Sequence, residues 1–201
     1  VHGVRVPGRV AALDGGREMN AATPAATASE PWLSGAPVSD ADYRRVSEFL
    51  FREADLLANR QYEAWLARLA PDLVYRVPLQ QFEKRGEERH YGGDPAWLDE
   101  TRHSISVRIR QLTHAQSNAD RVPSFLRYFV TNITAAAADD GLRVASQVLL
   151  LRVRANNPQP YFLSAARHDL LRPHGGEPVL ARREVHLDMP RIDTPNLAFF
   201  L

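Results

Sequence analysis

Cysteine does not occur in this chain of 201 residues, and lysine occurs once, as Lys84. Without a thiol the chain by itself can form no disulfide framework, no thiolate nucleophile, no Cys-ligated zinc and no iron–sulfur cluster. An excess of either charge is lacking too, since 25 basic and 24 acidic side chains leave a formal net charge of +1. That balance gives no electrostatic footprint for nucleic acid, which normally requires a basic face. Nor does any apolar run approach the roughly 20 residues that span a bilayer as a helix. What remains is ordinary globular composition, with 44% hydrophobic and 24% charged residues, at a length that suits one domain. Arginine supplies all basic residues other than Lys84. Coding bias in a GC-rich genome accounts for this, although arginine's planar fork also suits ion pairs at an assembly surface.

Residues 1–37 stand apart from the rest. Of these 37, 21 are Gly, Ala, Pro, Ser or Thr, without apolar periodicity. Such a stretch buries too little surface to offset its ordering entropy, so it reads as a disordered or loosely draped extension preceding a domain at 38–201. It has no apolar core of a secretory leader. Its first methionine is Met19, so an over-long reading frame with initiation near Met19 is one account of it.

Order begins at Ser39, which with Asp42 forms a short capping signal. Val46, Phe49, Leu50, Ala54 and Leu57 then recur at helical spacing, which predicts a helix over 39–58 ended by Asn59. A second short helix carries Tyr62, Trp65, Leu66 and Leu69 and closes at Pro71. Leu73, Tyr75, Val77 and Leu79 follow the strand period. The segment 80–94 is charged and loop-like. From Pro95 the pattern fits two periods, with Trp97, Leu98 and Thr101 at helical spacing and Ile105, Val107 and Ile109 alternating as a strand would; the reading is a helix through about His103, with room to run on further. Four long alternating runs follow, 125–136, 142–154, 161–172 and 179–188, with turn signals at Asp139-Asp140-Gly141, Asn157-Pro158 and Gly175-Gly176. Helices followed by a meander predict an α+β domain with helices packed on a strongly curved antiparallel sheet.

Catalytic constellations are sparse. The histidines are His2, His90, His103, His114, His168, His174 and His186, and none lies two or four residues from another. No local metal-binding face results. On a helix His103 would meet Asp99 or Glu100, whereas His168 and Asp169, adjacent on a strand, face opposite sides; for both histidines a solvated or structural role is the favoured reading. No nucleophile elbow or phosphate-binding glycine loop is present. Arg127, Arg167, Arg182 and Arg183 lie in long strands, where they either solvate the sheet or pair with carboxylates of the sheet or of a partner. The apolar tail Asn196-Leu-Ala-Phe-Phe-Leu201 is unsuited to solvent. Leu197, Phe199 and Phe200 are therefore expected to fill this domain or to pack on a neighbouring subunit.

Five blocks in order carry a resemblance. Val46-Ser-Glu-Phe-Leu-Phe-Arg-Glu-Ala-Asp-Leu-Leu57, Tyr62-Glu-Ala-Trp-Leu66 and Leu73-Val-Tyr-Arg-Val-Pro78 come first. Pro123-Ser-Phe-Leu-Arg-Tyr-Phe-Val-Thr-Asn132 follows, and then Ala181-Arg-Arg-Glu-Val-His-Leu-Asp188 with Asn196-Leu-Ala-Phe-Phe200. Together they resemble the small (beta) subunits of bacterial aromatic-ring-hydroxylating dioxygenases over most of residues 39–201. The chain departs from that pattern at Phe125, where the family often has Arg, and at Val179 and Leu180, where it usually has an aromatic. Gln116–Val122 is also atypical, and residues 1–37 have no family counterpart.

The resemblance implies a cone-like fold of the NTF2, cystatin-like and SnoaL type. It implies a non-catalytic, structural subunit without a cofactor of its own. The Rieske 2Fe-2S cluster and mononuclear non-haem iron would belong to a large (alpha) subunit, in a cytoplasmic alpha3beta3 assembly with beta–beta contacts. Arg127, Asn132, Arg167, Asp169, Arg182, Arg183, Asp188, Leu197, Phe199 and Phe200 are the structural or interface candidates. The competing readings are an independent SnoaL-type isomerase or dehydratase, with His and Asp inside the cone, and a stand-alone binding or scaffolding domain.

Overall fold

The computed structural model describes residues 32–79, 96–113, 124–189 and 199–201. The expectations for 1–31, for the loop 80–94, for Gln116–Val122 and for Leu197 lie outside the described residues. Helix α1 spans Asp40–Ala58, with the Ser39 side chain accepting from the Asp42 amide and Asn59 as its C-cap. Helix α2 is a single turn or so, Tyr62–Leu66. Strand β1 takes in Leu69–Pro78, so Leu69 and Pro71, read as the end of the second helix, belong to a strand.

Residues Ala96–Thr101 form strand β2 and Arg102–Thr113 form helix α3, so a helix is present here but starts at Arg102, and the part read as its beginning is a strand. Trp97 is exposed while Leu98 packs against the core, so β2 is an edge strand whose apolar residues do not share one face. Ile105 and Ile109 are both fully buried; their i, i+4 spacing puts them on one helical face, although it also matches alternation. A short apolar run fits both periods, and packing decided between them.

The remaining strands are β3 (Ser124–Ala138), β4 (Gly141–Arg154), β5 (Asn157–His174) and β6 (Glu177–Leu187). Asp139 and Asp140 make the first turn of this meander. The second falls on Ala155 and Asn156, just ahead of the predicted Asn157-Pro158. The third uses Gly175 and Gly176 at φ of 58° and 93°, a pair of left-handed positions that suits a tight hairpin. Sheet order is β2-β1-β6-β5-β4-β3. Every ladder is antiparallel except β1–β6, which is parallel.

Length and irregularity curve this sheet. Within β3 the register slips between Thr131 and Thr134 opposite β4, a β-bulge with Asn132 at φ 50°. Bulges bend the strand that carries them and raise its twist. One face, here called inner, carries Leu73, Tyr75 and Val77 of β1, Leu163 and Ala165 of β5, and Val185 and Leu187 of β6, all buried. Against it pack Val46, Phe49, Leu50 and Leu57 of α1, Trp65 of α2, and Ile105 and Ile109 of α3.

A short segment ahead of α1 also docks. Pro37 bridges Ala136, and the Ala137 amide donates to the Ala36 carbonyl at 2.9 Å. A Cβ on Gly35 would lie 2.2 Å from the Ala137 carbonyl oxygen, so glycine is what permits this approach. Residues 32–37, read from composition as part of the loose extension, are therefore held against the β3–β4 hairpin.

Candidate functional site

Long strands place alternate side chains on the inner face, and three of those on β5 and β6 are charged. Arg183 is fully buried and bidentate on Asp169, at 2.8 Å from Nε and 2.7 Å from Nη2. Its two terminal nitrogens also reach Glu53 of α1, at 2.9 and 2.8 Å. Arg167 donates to Glu53 at 3.3 Å and to the Ser146 hydroxyl at 3.3 Å, and the Trp65 indole donates to Glu53 at 2.9 Å. Burial pushes the Glu53 carboxyl up, but Arg183 and Arg167 outweigh it and hold the group below the ordinary value. Burial likewise opposes charge on Arg183, and Asp169 and Glu53 overcome it, raising its pKa well above normal. Both carboxylates are thus consumed by guanidinium pairing.

Next to this cluster sits the chain segment Phe199–Leu201, buried at all three residues. The Phe200 ring lies 4.5 Å from that of Trp65 and 5.6 Å from that of Tyr62, the latter edge-on. Arg108 of α3 stacks over it at 4.1 Å and is held by Glu100 at 2.6 Å. Carbonyl oxygens along the segment all find donors. Arg108 donates to Phe199, the Tyr128 hydroxyl to Phe200, and the Tyr75 hydroxyl with Arg183 to Leu201, at 2.6, 2.8, 2.8 and 3.0 Å. Burial raises the phenol pKa of Tyr75 and of Tyr128, so both stay neutral donors. The inner face is filled by the protein's own chain.

The outer face is different. His168 stacks on Trp32 with ring centroids 5.5 Å apart, and meets His186 edge-on at 4.9 Å. His186 lies 3.2 Å from Glu184, which also accepts from Arg182 at 3.1 Å. The His186 bond, with Arg182 assisting against burial, lowers the Glu184 carboxyl to about 2. Burial and the His186 charge lower His168 in turn. Further along the same face, Phe125 and Phe129 of β3, Leu149 of β4 and Phe162 of β5 are exposed, Phe125 by 74%. Phe129, Thr131, Gln147, Leu149, Ser164 and Asp188 border a hollow of about 470 Å³ there.

The sequence candidates therefore separate. Arg167, Asp169 and Arg183 converge with Glu53, and Phe199 and Phe200 lie against the same interior. Arg182 and the exposed Arg127 point outward, Asn132 occupies the bulge and bonds Gln147 at 2.8 Å, and Asp188 lies on the surface just past the end of β6. Among the described residues no histidine faces the interior, as a His–Asp enzyme of this fold would need. His168 and His186 belong to the outer face, and His103 and His174 are exposed. His103 is exposed, in line with the solvated reading, and the alternative pairing with Asp99 or Glu100 does not form because both acids are on β2, where Glu100 pairs with Arg108. Nor do three His, Asp or Glu side chains converge on a metal-sized site among the described residues. Sequence reasoning missed Glu53, Trp65, Tyr75, Tyr128, Arg108 and Trp32. Only Glu53 left a signal: it is a carboxylate on the apolar stripe of α1, seven residues after Val46 and four before Leu57.

Comparison with known proteins agrees with this geometry. Residues 52–194 match the family model described as ring hydroxylating beta subunit. The small oxygenase component of a naphthalene 1,2-dioxygenase system from Ralstonia sp. is 32% identical over 168 residues, covering 81% of this chain and 87% of the relative. That of a 2,4-dinitrotoluene dioxygenase system from Burkholderia sp. (strain RASC) is also 32% identical, over 170 residues, with coverage of 81% and 87%. Among solved structures, a chain of naphthalene 1,2-dioxygenase with indole bound in the active site superimposes with a TM-score of 0.72 at 26% identity, covering 82% of this chain and 88% of that one. With an inner face sealed by its own residues and a family match across most of its length, this chain belongs to the ring-hydroxylating dioxygenase beta subunits.

Proposed function

We propose that the chain is the non-catalytic small subunit of the terminal oxygenase of an aromatic-ring-hydroxylating dioxygenase, working in the cytoplasm. Its partner is a large subunit that carries the Rieske cluster and the mononuclear iron, in an assembly of three copies of each. The observation that carries this reading is the outer face of β3–β5, where Phe125, Phe129, Leu149 and Phe162 are exposed on one face of the sheet, with Phe129 directly opposite Leu149. Large clustered apolar side chains on an exposed face mark interaction sites, and aromatic residues are the commonest anchors of protein interfaces. An interior closed by ion pairs and by Phe199–Leu201 leaves the surface as the working part.

Co-expression with the large subunit tests this. Size-exclusion chromatography should give one hetero-oligomer, with iron and Rieske absorbance eluting in that peak and not with the isolated chain. A Phe125→Ser, Phe129→Ser and Phe162→Ser variant should lose that peak while keeping the melting temperature of the isolated chain within a few degrees, because the altered side chains are already solvated. Turnover of a small ketone or alcohol by the isolated chain, or one tightly bound iron per chain, would overturn the reading.

A further inference from the structure

The interior end of the sheet is shaped as a receptor, and its present occupant shows what it recognises. Around the Phe200 ring stand Trp65, Tyr62 and the Arg108 guanidinium, an aromatic box with a cation over one face. Three carbons along from that ring, through Cβ and Cα, is the Phe200 carbonyl, bonded by the Tyr128 hydroxyl. Two more donors, Tyr75 and Arg183, converge on the next carbonyl, that of Leu201. Tyr75 and Tyr128 are buried, so withdrawing the segment would strand their hydroxyl donors, whereas Arg183 keeps Asp169 and Glu53; an unpaired buried donor is costly. A free molecule that supplies a ring and an acceptor oxygen at the Phe200 spacing would restore the ring contacts and the Tyr128 bond.

We propose that this end of the fold is a cryptic binding cavity for small aryl carboxylates of the 3-arylpropanoate type, held shut by Phe199–Leu201 acting as an intramolecular ligand. Tethering gives the segment a high effective concentration, so an external ligand binds measurably only when the segment is withdrawn or shortened. The assembly role proposed above uses the opposite face of the sheet, so the two readings stand or fall separately.

The test is calorimetric titration of 3-phenylpropanoate into a chain ending at residue 198, beside the intact chain. Saturable one-to-one binding is expected in the shortened chain, and binding at least ~10-fold weaker in the intact one. Tyr128→Phe in the shortened chain should weaken it by about 10-fold, the loss of a hydrogen bond to a charged acceptor. Replacing the ligand by 3-cyclohexylpropanoate, which keeps the carboxylate and loses the π face, should weaken it by at least ~3-fold. Where the shortened chain does not fold alone, millimolar 3-phenylpropanoate should restore its cooperative melt, and toluene should raise the melting temperature of full-length Phe200→Ala. A folded shortened chain without saturable binding, or one indifferent to both changes, overturns the proposal. So does an unfolded shortened chain that the ligand fails to restore, with no toluene response in Phe200→Ala.

Discussion

At the scale of single residues, Glu53 holds the most leverage. One carboxylate on α1 ties together Arg167, Arg183 and the Trp65 indole from three other elements. Glu53→Met should cost about 3–5 kcal/mol by urea unfolding, because it leaves buried guanidinium charge without its partner. Arg167→Met should cost less, since Arg183 stays to hold the carboxylate. Arg127→Ala, on the exposed outer face, should change stability by under about 1 kcal/mol. The outer face makes stability depend on acid in two stages. His168 has a lowered pKa when folded, so below about pH 6.5 the unfolded chain takes up its proton first and stability falls. Glu184, at about 2 when folded, contributes stability that is full above its unfolded value near ~4.3 and is lost as the pH falls toward 2. Melting temperature plotted against pH should show both declines. His168→Phe, which keeps a ring beside Trp32, should remove the upper one, and Glu184→Gln the lower.

Among the elements, β3 and α3 show how local sequence and packing divide the work. Asn132 takes the left-handed conformation that bends β3 at its bulge, and asparagine is one of the few side chains that tolerates it. Asn132→Val should therefore cost about 1–3 kcal/mol in thermal unfolding, whereas Asn132→Gly should be nearly neutral. Helix α3 presents Ile105 and Ile109 to the core at one helical turn's spacing and leaves Val107 only half-buried. Ile109→Ala should cost about 2–5 kcal/mol, and Val107→Ala should cost much less. Equal costs would indicate the strand reading of this segment.

For the whole molecule, residues 32–37, just ahead of α1, dock on the meander. Trp32 stacks on His168 and donates to the Val144 carbonyl at 3.0 Å, and Ser34 accepts from Arg143 at 3.2 Å. Composition alone made this stretch look dispensable. The contacts instead predict that a chain starting at Val38 melts a few degrees lower than one starting at Pro31, as expected for about 1–2 kcal/mol in a protein of this size. Gly35→Ala should act the same way, because its new methyl collides with the Ala137 carbonyl. Hydrogen exchange at the Ala137 amide, which bonds Ala36, should then become faster.

The amino-acid sequence by itself determined the elements whose period is long enough to be unambiguous. The nineteen-residue α1 carries its stripe, caps and first-turn acids in one stretch, and the long strands β3–β6 alternate over many residues between turn signals. It also excluded the cysteine-dependent chemistries from this chain, since composition needs no geometry. Only tertiary structure decided the rest. Between 96 and 113 the apolar residues are too few to separate a period of two from one of 3.6, so the edge of β1 and the core beneath α3 chose. The parallel pairing of β1 with β6 depends on how the chain returns to the sheet, which no local pattern encodes. Glu53 and Asp169 lie 116 positions apart and share Arg183 only because helix and sheet bring them together. A buried charge is read from its partners, and its partners are known only after the chain has folded.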